Sequence, residues 1–267
     1  MSGGGGRFPI GGLGIGGVLI VGVLSLVFKT NFFQLLDQGG VNNGAPTTAS
    51  APAVTTPEEN ERYDFVKFVI NDTQDTWTTV LPRESGVPYQ RATLVLFRDV
   101  VQSACGTAEA ASGPFYCPGD HKVYIDLSFY DELKTRFGAS GDFAQAYVIA
   151  HEVGHHVQSL LGIDQQVRNA QRSQPGSAKA LSVQLELQAD CLAGVWGHST
   201  DQRKLLESGD VESGMNAAAA VGDDHIQKMQ GQRVTPDAFT HGSSAQRVAA
   251  FRRGLDAGTL AACQATR

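Results

Sequence analysis

Residues 142–160 read DFAQAYVIAHEVGHHVQSL, and the fold follows from how that stretch is taken. Phe143, Ala146, Ile149, Ala150, Val153, Val157 and Leu160 recur at the 3.6-residue period of a helix that buries one face. Asp142 stands where a capping residue starts such a helix, and Gly162 lies just past its end as a stop signal. Inside the helix, His151-Glu152-Val153-Gly154-His155 sets two histidines four apart, one turn from each other on the same face. Their imidazoles can share one tetrahedral metal ion. Glu152 lies beside the first histidine, where it can take a proton from bound water. A five-residue pattern of this kind also occurs on an ordinary solvated helix face. Here it lies on a strongly amphipathic helix, with Gly154 small enough for a close neighbour. His156 is extra to the pattern, about 100° round the helix from His155, and reads as packing or as support for the ligands.

A hydrolytic zinc site normally takes three protein ligands plus water, so a third ligand is required. The pattern that places a histidine six residues after the second fails, because Gln158 and Leu161 occupy the needed Gly and His positions. A second helix is expected over 178–196, with Leu181, Leu185, Leu192 and Val195 on one side. It carries Glu186 and Asp190, which fall 31 and 35 residues after His155. Two carboxylates inside LSVQLELQADCLAGVW are costly to bury without partners. A metal suits Glu186, and the second ring N–H of a metal-bound His151 suits Asp190 and would fix its tautomer. Ala189, Ala193 and Gly194 would let this helix approach the first.

The chain at this point resembles the gluzincins, zinc peptidases with His-Glu-x-x-His followed by Glu-x-x-x-Asp. More specifically, residues from about 58 to 267 look like the bacterial neutral zinc metallopeptidases, on HEVGHHVQ at 151–158, ELQADCLAGVW at 186–196 and FTHGSSAQR at 239–247. The resemblance implies a zincin-like peptidase fold with Zn2+ on His151, His155 and Glu186, Glu152 as general base, and a peptide or protein substrate. Thr240-His241-Gly242 with Arg247 six residues beyond the histidine looks like the Thr-His-Pro turn of membrane-embedded gluzincins, where the histidine faces the zinc site. Gly242 stands in place of the Pro. His241 is therefore the candidate oxyanion donor, and His225 in VGDDHIQ is its rival.

The rest of the chain reads as a mostly helical α+β domain with a small sheet. A helical stripe runs from Tyr63 to Val80; Ala92–Phe97 and Val123–Leu127 read as strands; Arg168–Ser177 reads as a polar stretch with a Pro-Gly turn; the C-terminal third is helical, with a helix start at Ser243 or Ser244. VYIDL is placed as an edge strand along the cleft, able to bind extended substrate by strand addition. The 21 basic residues against 27 acidic ones leave a net charge of -6 and no basic face, which argues against nucleic acid as a partner.

Residues 10–28, IGGLGIGGVLIVGVLSLVF, contain no charge and as a helix would span about 28 Å. They read as a transmembrane anchor after a short tail at 1–9, against a cleaved signal peptide or a core helix. A linker at 29–57, Gly/Ala/Thr/Pro-rich over 38–57, then leads to the metallopeptidase domain at 58–267. All four cysteines follow the anchor, an even number suited to an oxidising compartment, with Cys105–Cys117 and Cys191–Cys263 the preferred pairs and free thiols the alternative. The expected localisation is a single-pass membrane protein with its domain on the extracytoplasmic side; composition leaves the oligomeric state open. The expected function is a zinc peptidase, against a zinc hydrolase of cell-wall amides or a catalytically silent zinc-stabilised binding module.

Overall fold

Thr56 and Glu59 start the first helix by exchanging hydrogen bonds, each side chain accepting the other's backbone N–H at 3.2 Å. The computed structural model describes residues 56–98, 100–109, 113–135, 138 and 141–264. Helix α1 (Pro57–Ser85) buries Val66, Val69, Ile70, Trp77, Val80 and Leu81 along one side. Five strands follow: β1 (Thr93–Phe97), β2 (Val100–Ser103), β3 (Gly106–Glu109), β4 (Phe115–Cys117) and β5 (Lys122–Asp126). β1, β5 and β4 form one sheet in that order, with β5 parallel to β1 and antiparallel to β4; β2 and β3 pair as a separate hairpin. VYIDL is thus the centre of its sheet rather than an edge, which corrects the sequence reading. Val123–Asp126 are buried with both ladders occupied, and the edge nearest the long helices belongs to β4.

Seven further helices complete the described residues: α2 (Phe129–Thr135), α3 (Asp142–Leu160), α4 (Ile163–Ser173), α5 (Ala178–Gln202), α6 (Asp210–Ala220), α7 (Asp223–Met229) and α8 (Ser244–Ala257). Short 3-10 turns lie at Pro175–Ser177, Pro236–Ala238 and Ala261–Cys263. The fold is α+β and mostly helical. Asp142 does not cap α3: Gly141 is the N-cap with no side-chain bond, and Asp142 sits in the first turn, where its carboxylate still faces the positive end of the helix dipole. The polar run after Arg168 continues α4 to Ser173 and then makes the expected Pro-Gly turn at Pro175–Ser177. Ser243 caps α8 in a capping box with Gln246.

The buried layer is α3, packed against α1, α5 and α6. Its crossing with α5 depends on Gly154, where a methyl group would stand 2.9 Å from the Ala189 carbonyl oxygen. The α5–α8 crossing is closer still: a methyl on Gly254 would fall 1.9 Å from the Cys191 carbonyl oxygen. Side-chain-free backbones at these two points bring three helices to one place.

Both preferred disulfides are present, Cys105–Cys117 and Cys191–Cys263, and the described residues hold no free cysteine. The second closes a separation of 72 residues, which by loop-closure entropy is worth about 4 kcal/mol. In denaturant the four cysteines should therefore resist thiol labelling until a reductant is added. Immediate labelling of any of them would contradict this pairing.

No helix among the described residues is long and apolar enough to cross a membrane. This corrects the expected localisation as a single-pass membrane protein. The long helices carry too much polarity: α1 begins Pro-Glu-Glu-Asn-Glu-Arg, α3 holds His151, Glu152, His155 and His156 within 19 residues, and α5 holds Glu186, Asp190, His198 and Asp201 within 25. The stretch at 10–28 that suggested an anchor lies outside the described residues. Of the segment read as a linker only Thr56 and Pro57 are described, and they start α1.

Candidate metal centre

On α3, His151 and His155 stand one turn apart with ring centroids 4.8 Å from each other. Across the close crossing at Gly154, α5 presents Glu186 to both: its Oε2 lies 3.2 Å from His151 Nε2 and its Oε1 3.5 Å from His155 Nε2. Two donors each about 2.0–2.1 Å from a tetrahedral ion are themselves about 3.3 Å apart, so this spacing fits three ligands of one small cation. Among the described residues these three form a group whose candidate ligand atoms all lie within 4.8 Å of one another. Electrostatics point the same way. Burial works against protonating His151, yet Asp190 and Glu186 outweigh it and raise the imidazole to about 10. Burial likewise opposes charge on Glu186, while His155 and His241 hold its carboxyl well below the usual range. The carboxylates thus favour positive charge at the centre of the group, and the imidazoles would give up their protons to ligate a metal ion there.

His151 is oriented from behind. Its Nδ1 lies 2.8 Å from Asp190 Oδ1, the contact expected from the four-residue spacing of Glu186 and Asp190. Asp190 is fully buried and also accepts the Tyr147 hydroxyl, one turn before His151. Arg247 completes the cluster, donating Nε to Asp190 Oδ2 at 2.8 Å and Nη2 to Oδ1 at 2.9 Å. Burial would push the Asp190 carboxyl up; Arg247 and His151 prevail and lower it to about 2. The sequence marks Arg247 only as a position six residues after His241, and it carries no reading of Tyr147.

Glu152 is buried beside the histidines. Burial raises its pKa, with His151 and His155 pulling the other way. Its carboxylate also takes a hydrogen bond from the backbone of Tyr116, the middle residue of β4. His156 does not reach the metal group. Its Nε2 lies 2.5 Å from the Gln90 carbonyl oxygen and its Nδ1 3.0 Å from the Tyr116 hydroxyl, so it fastens α3 to the strand beside Glu152.

His241 lies in a turn held by one carboxylate. Asp223 Oδ2 accepts the backbone N–H groups of Thr240, His241 and Gly242 at 2.7, 2.7 and 2.9 Å, and Oδ1 lies 3.3 Å from His241 Nδ1. Gly242 has φ 95°, which proline cannot adopt, so the departure from Thr-His-Pro follows from the turn itself. The charge of His241 contributes to lowering the Glu186 carboxyl, and His241 lies outside the group of three candidate ligands. His225, on α7, is not part of that group. Asp223 was missed because the Asp-Asp pair before His225 reads as a helix start, and only the fold brings it to a turn 17 residues on.

Two histidines and a glutamate from crossing helices form a candidate metal site, with a buried glutamate next to the first histidine. The profile of a family described as "putative neutral zinc metallopeptidase" matches residues 1–266, and the chain belongs to that family. It is 45% identical over 265 residues to the uncharacterized protein YpfJ of Escherichia coli (strain K12), covering 98% of this chain and 90% of the relative. It is 41% identical over 204 residues to the uncharacterized protein Mb2605 of Mycobacterium bovis, covering 72% of this chain and 67% of the relative. No solved structure matches the chain.

Proposed function

We propose that the protein is a zinc-dependent peptidase, seated in a domain spanning 58–267, in which His151, His155 and Glu186 hold the ion and Glu152 is the general base. The observation that carries this reading is the Glu186 carboxylate spanning both imidazoles at 3.2 and 3.5 Å. When bound, zinc supplies a Lewis acid that brings the pKa of a water to about 7 and polarises a carbonyl. Glu152 takes the proton from the attacking water and returns it to the leaving amine. Its burial raises its basicity toward that task, and the Tyr116 backbone keeps the carboxylate aimed. Asp190, braced by Arg247, keeps the His151 ring in place. β4, the outer strand of its sheet, runs beside Glu152 and gives an extended chain a direction to lie along, which is the basis for reading peptides rather than cell-wall amides as the substrate.

Zinc content of the purified chain, followed by incubation with a mixed peptide library, tests the reading. One equivalent of zinc and cleavage that a chelator stops are expected; a zinc-loaded protein that cleaves no peptide would overturn the peptidase assignment. His241 is the proposed donor to the developing oxyanion, with Asp223 fixing its ring. His241→Ala should lower turnover about 10²–10³-fold with zinc retained, and His225→Ala should do little. Steady-state kinetics on a cleaved peptide decide it: the opposite ranking would move the role to His225.

A further inference from the structure

His151 and His155 are held by different chemistry. His151 meets a carboxylate, but His155 Nδ1 lies 2.8 Å from Oε1 of Gln158, three residues on along the same face of α3. Gln158 is fully buried. Its Nε2 donates to the Leu185 carbonyl oxygen at 2.7 Å and to Gln188 Oε1 at 3.0 Å. Gln188 in turn donates Nε2 to the Cys263 carbonyl oxygen at 3.1 Å. Cys263 is fixed by its disulfide to Cys191 on α5, one turn beyond Gln188.

The direction of this chain of bonds is not free. A backbone carbonyl only accepts, so the Cys263 oxygen forces the Gln188 NH2 toward itself and the Gln188 oxygen toward Gln158. The Leu185 oxygen and the Gln188 oxygen then both demand the Gln158 NH2, which leaves Gln158 Oε1 to face His155. An amide oxygen also only accepts. His155 must therefore carry its proton on Nδ1, with the Nε2 lone pair turned toward Glu186 and His151. A reversed Gln158 amide would set its oxygen against the Leu185 and Gln188 oxygens, losing two hydrogen bonds in a buried place.

Building on the zinc site proposed above, we infer that Gln158 and Gln188 are positioning residues that hold His155 in its metal-binding tautomer, their orientation dictated by the Leu185 and Cys263 carbonyls. Neither residue touches the reacting atoms. The two histidines of the site are thereby oriented from opposite sides, one by an ion-paired carboxylate and one by a neutral amide relay running to the C-terminal segment.

Zinc dissociation constants, measured by competition with a chromophoric chelator on the full chain, and NMR of the zinc-loaded protein test the relay together. In the unsubstituted protein two hydrogen-bonded imidazole Nδ1–H resonances are expected, one from each ligand histidine. Gln158→Leu should weaken zinc about 10–100-fold and displace the His155 resonance alone. Gln188→Leu should act in the same direction by less, and adding it to Gln158→Leu should cost no further affinity, because it acts only through Gln158. If the unsubstituted protein binds no zinc, the site reading itself falls. If it binds zinc and Gln158→Leu binds equally well, or if affinity drops while the His155 resonance stays in place in both variants, the relay is wrong and the site reading stands.

Discussion

Glu152→Gln is expected to abolish turnover and to leave zinc in place. The amide has the shape of the carboxylate and can still accept a hydrogen bond from the Tyr116 backbone, so nothing in the packing of α3 against β4 changes. What it loses is the ability to take a proton. Positioned acid–base groups contribute about 10²–10⁴-fold, and in the proposed mechanism one residue serves both the water and the leaving amine, so a loss toward the upper end of that range is expected. Zinc is retained because Glu152 is outside the donor group of His151, His155 and Glu186. Turnover on a library-derived peptide and metal content by mass spectrometry check the two halves separately. Near-normal hydrolysis would mean that the proton goes elsewhere, and loss of zinc would mean that Glu152 belongs among the ligands.

The parts of this site that sequence made legible are those written in local period. The apolar repeat of α3 fixes which face His151 and His155 share, and the four-residue step from Glu186 to Asp190 anticipates the Asp190–His151 contact. Small residues at Gly154 and Ala189 anticipate the helix crossing that joins the two motifs. The strands were harder: β4 has three residues, too few for an alternating pattern, and it rather than VYIDL forms the edge beside Glu152. Gln158 had a reading only as a residue that spoils another ligand pattern. Its role depends on Leu185 and Gln188, 27 and 30 residues away, and no local signal reports such a pairing. The same holds for Asp223 at the His241 turn and for the depth at which Arg247 is buried.

Arg247 carries the second large prediction. Its guanidinium is buried at the junction of α3, α5 and α8, with bonds to both Asp190 oxygens, to the Val221 carbonyl oxygen at 3.2 Å and to the Tyr147 hydroxyl at 3.2 Å. Arg247→Leu removes this cation and leaves the fully buried Asp190 charge with only His151 and Tyr147 to compensate it. Breaking a buried pair from one side costs about 3–5 kcal/mol, which should appear as a lower unfolding midpoint of the metal-free protein at neutral pH. Arg247→Lys should fall between, since it restores the charge but not the two-pronged geometry. The acid limb should move as well. The Asp190 carboxyl, lowered to about 2 in the fold against about 3.9 when unfolded, contributes stability that is present above about pH 4 and lost as pH falls through about 2. Without Arg247 that carboxyl rises toward its unfolded value, so the Arg247→Leu protein should lose less stability between about pH 4 and pH 2 than the unsubstituted protein does. Asp190→Asn placed in the Arg247→Leu background removes the stranded charge and should recover part of the lost stability. An Arg247→Leu protein as stable as its parent, or a double variant less stable than the single one, would mean that Asp190 does not depend on Arg247 for its charge.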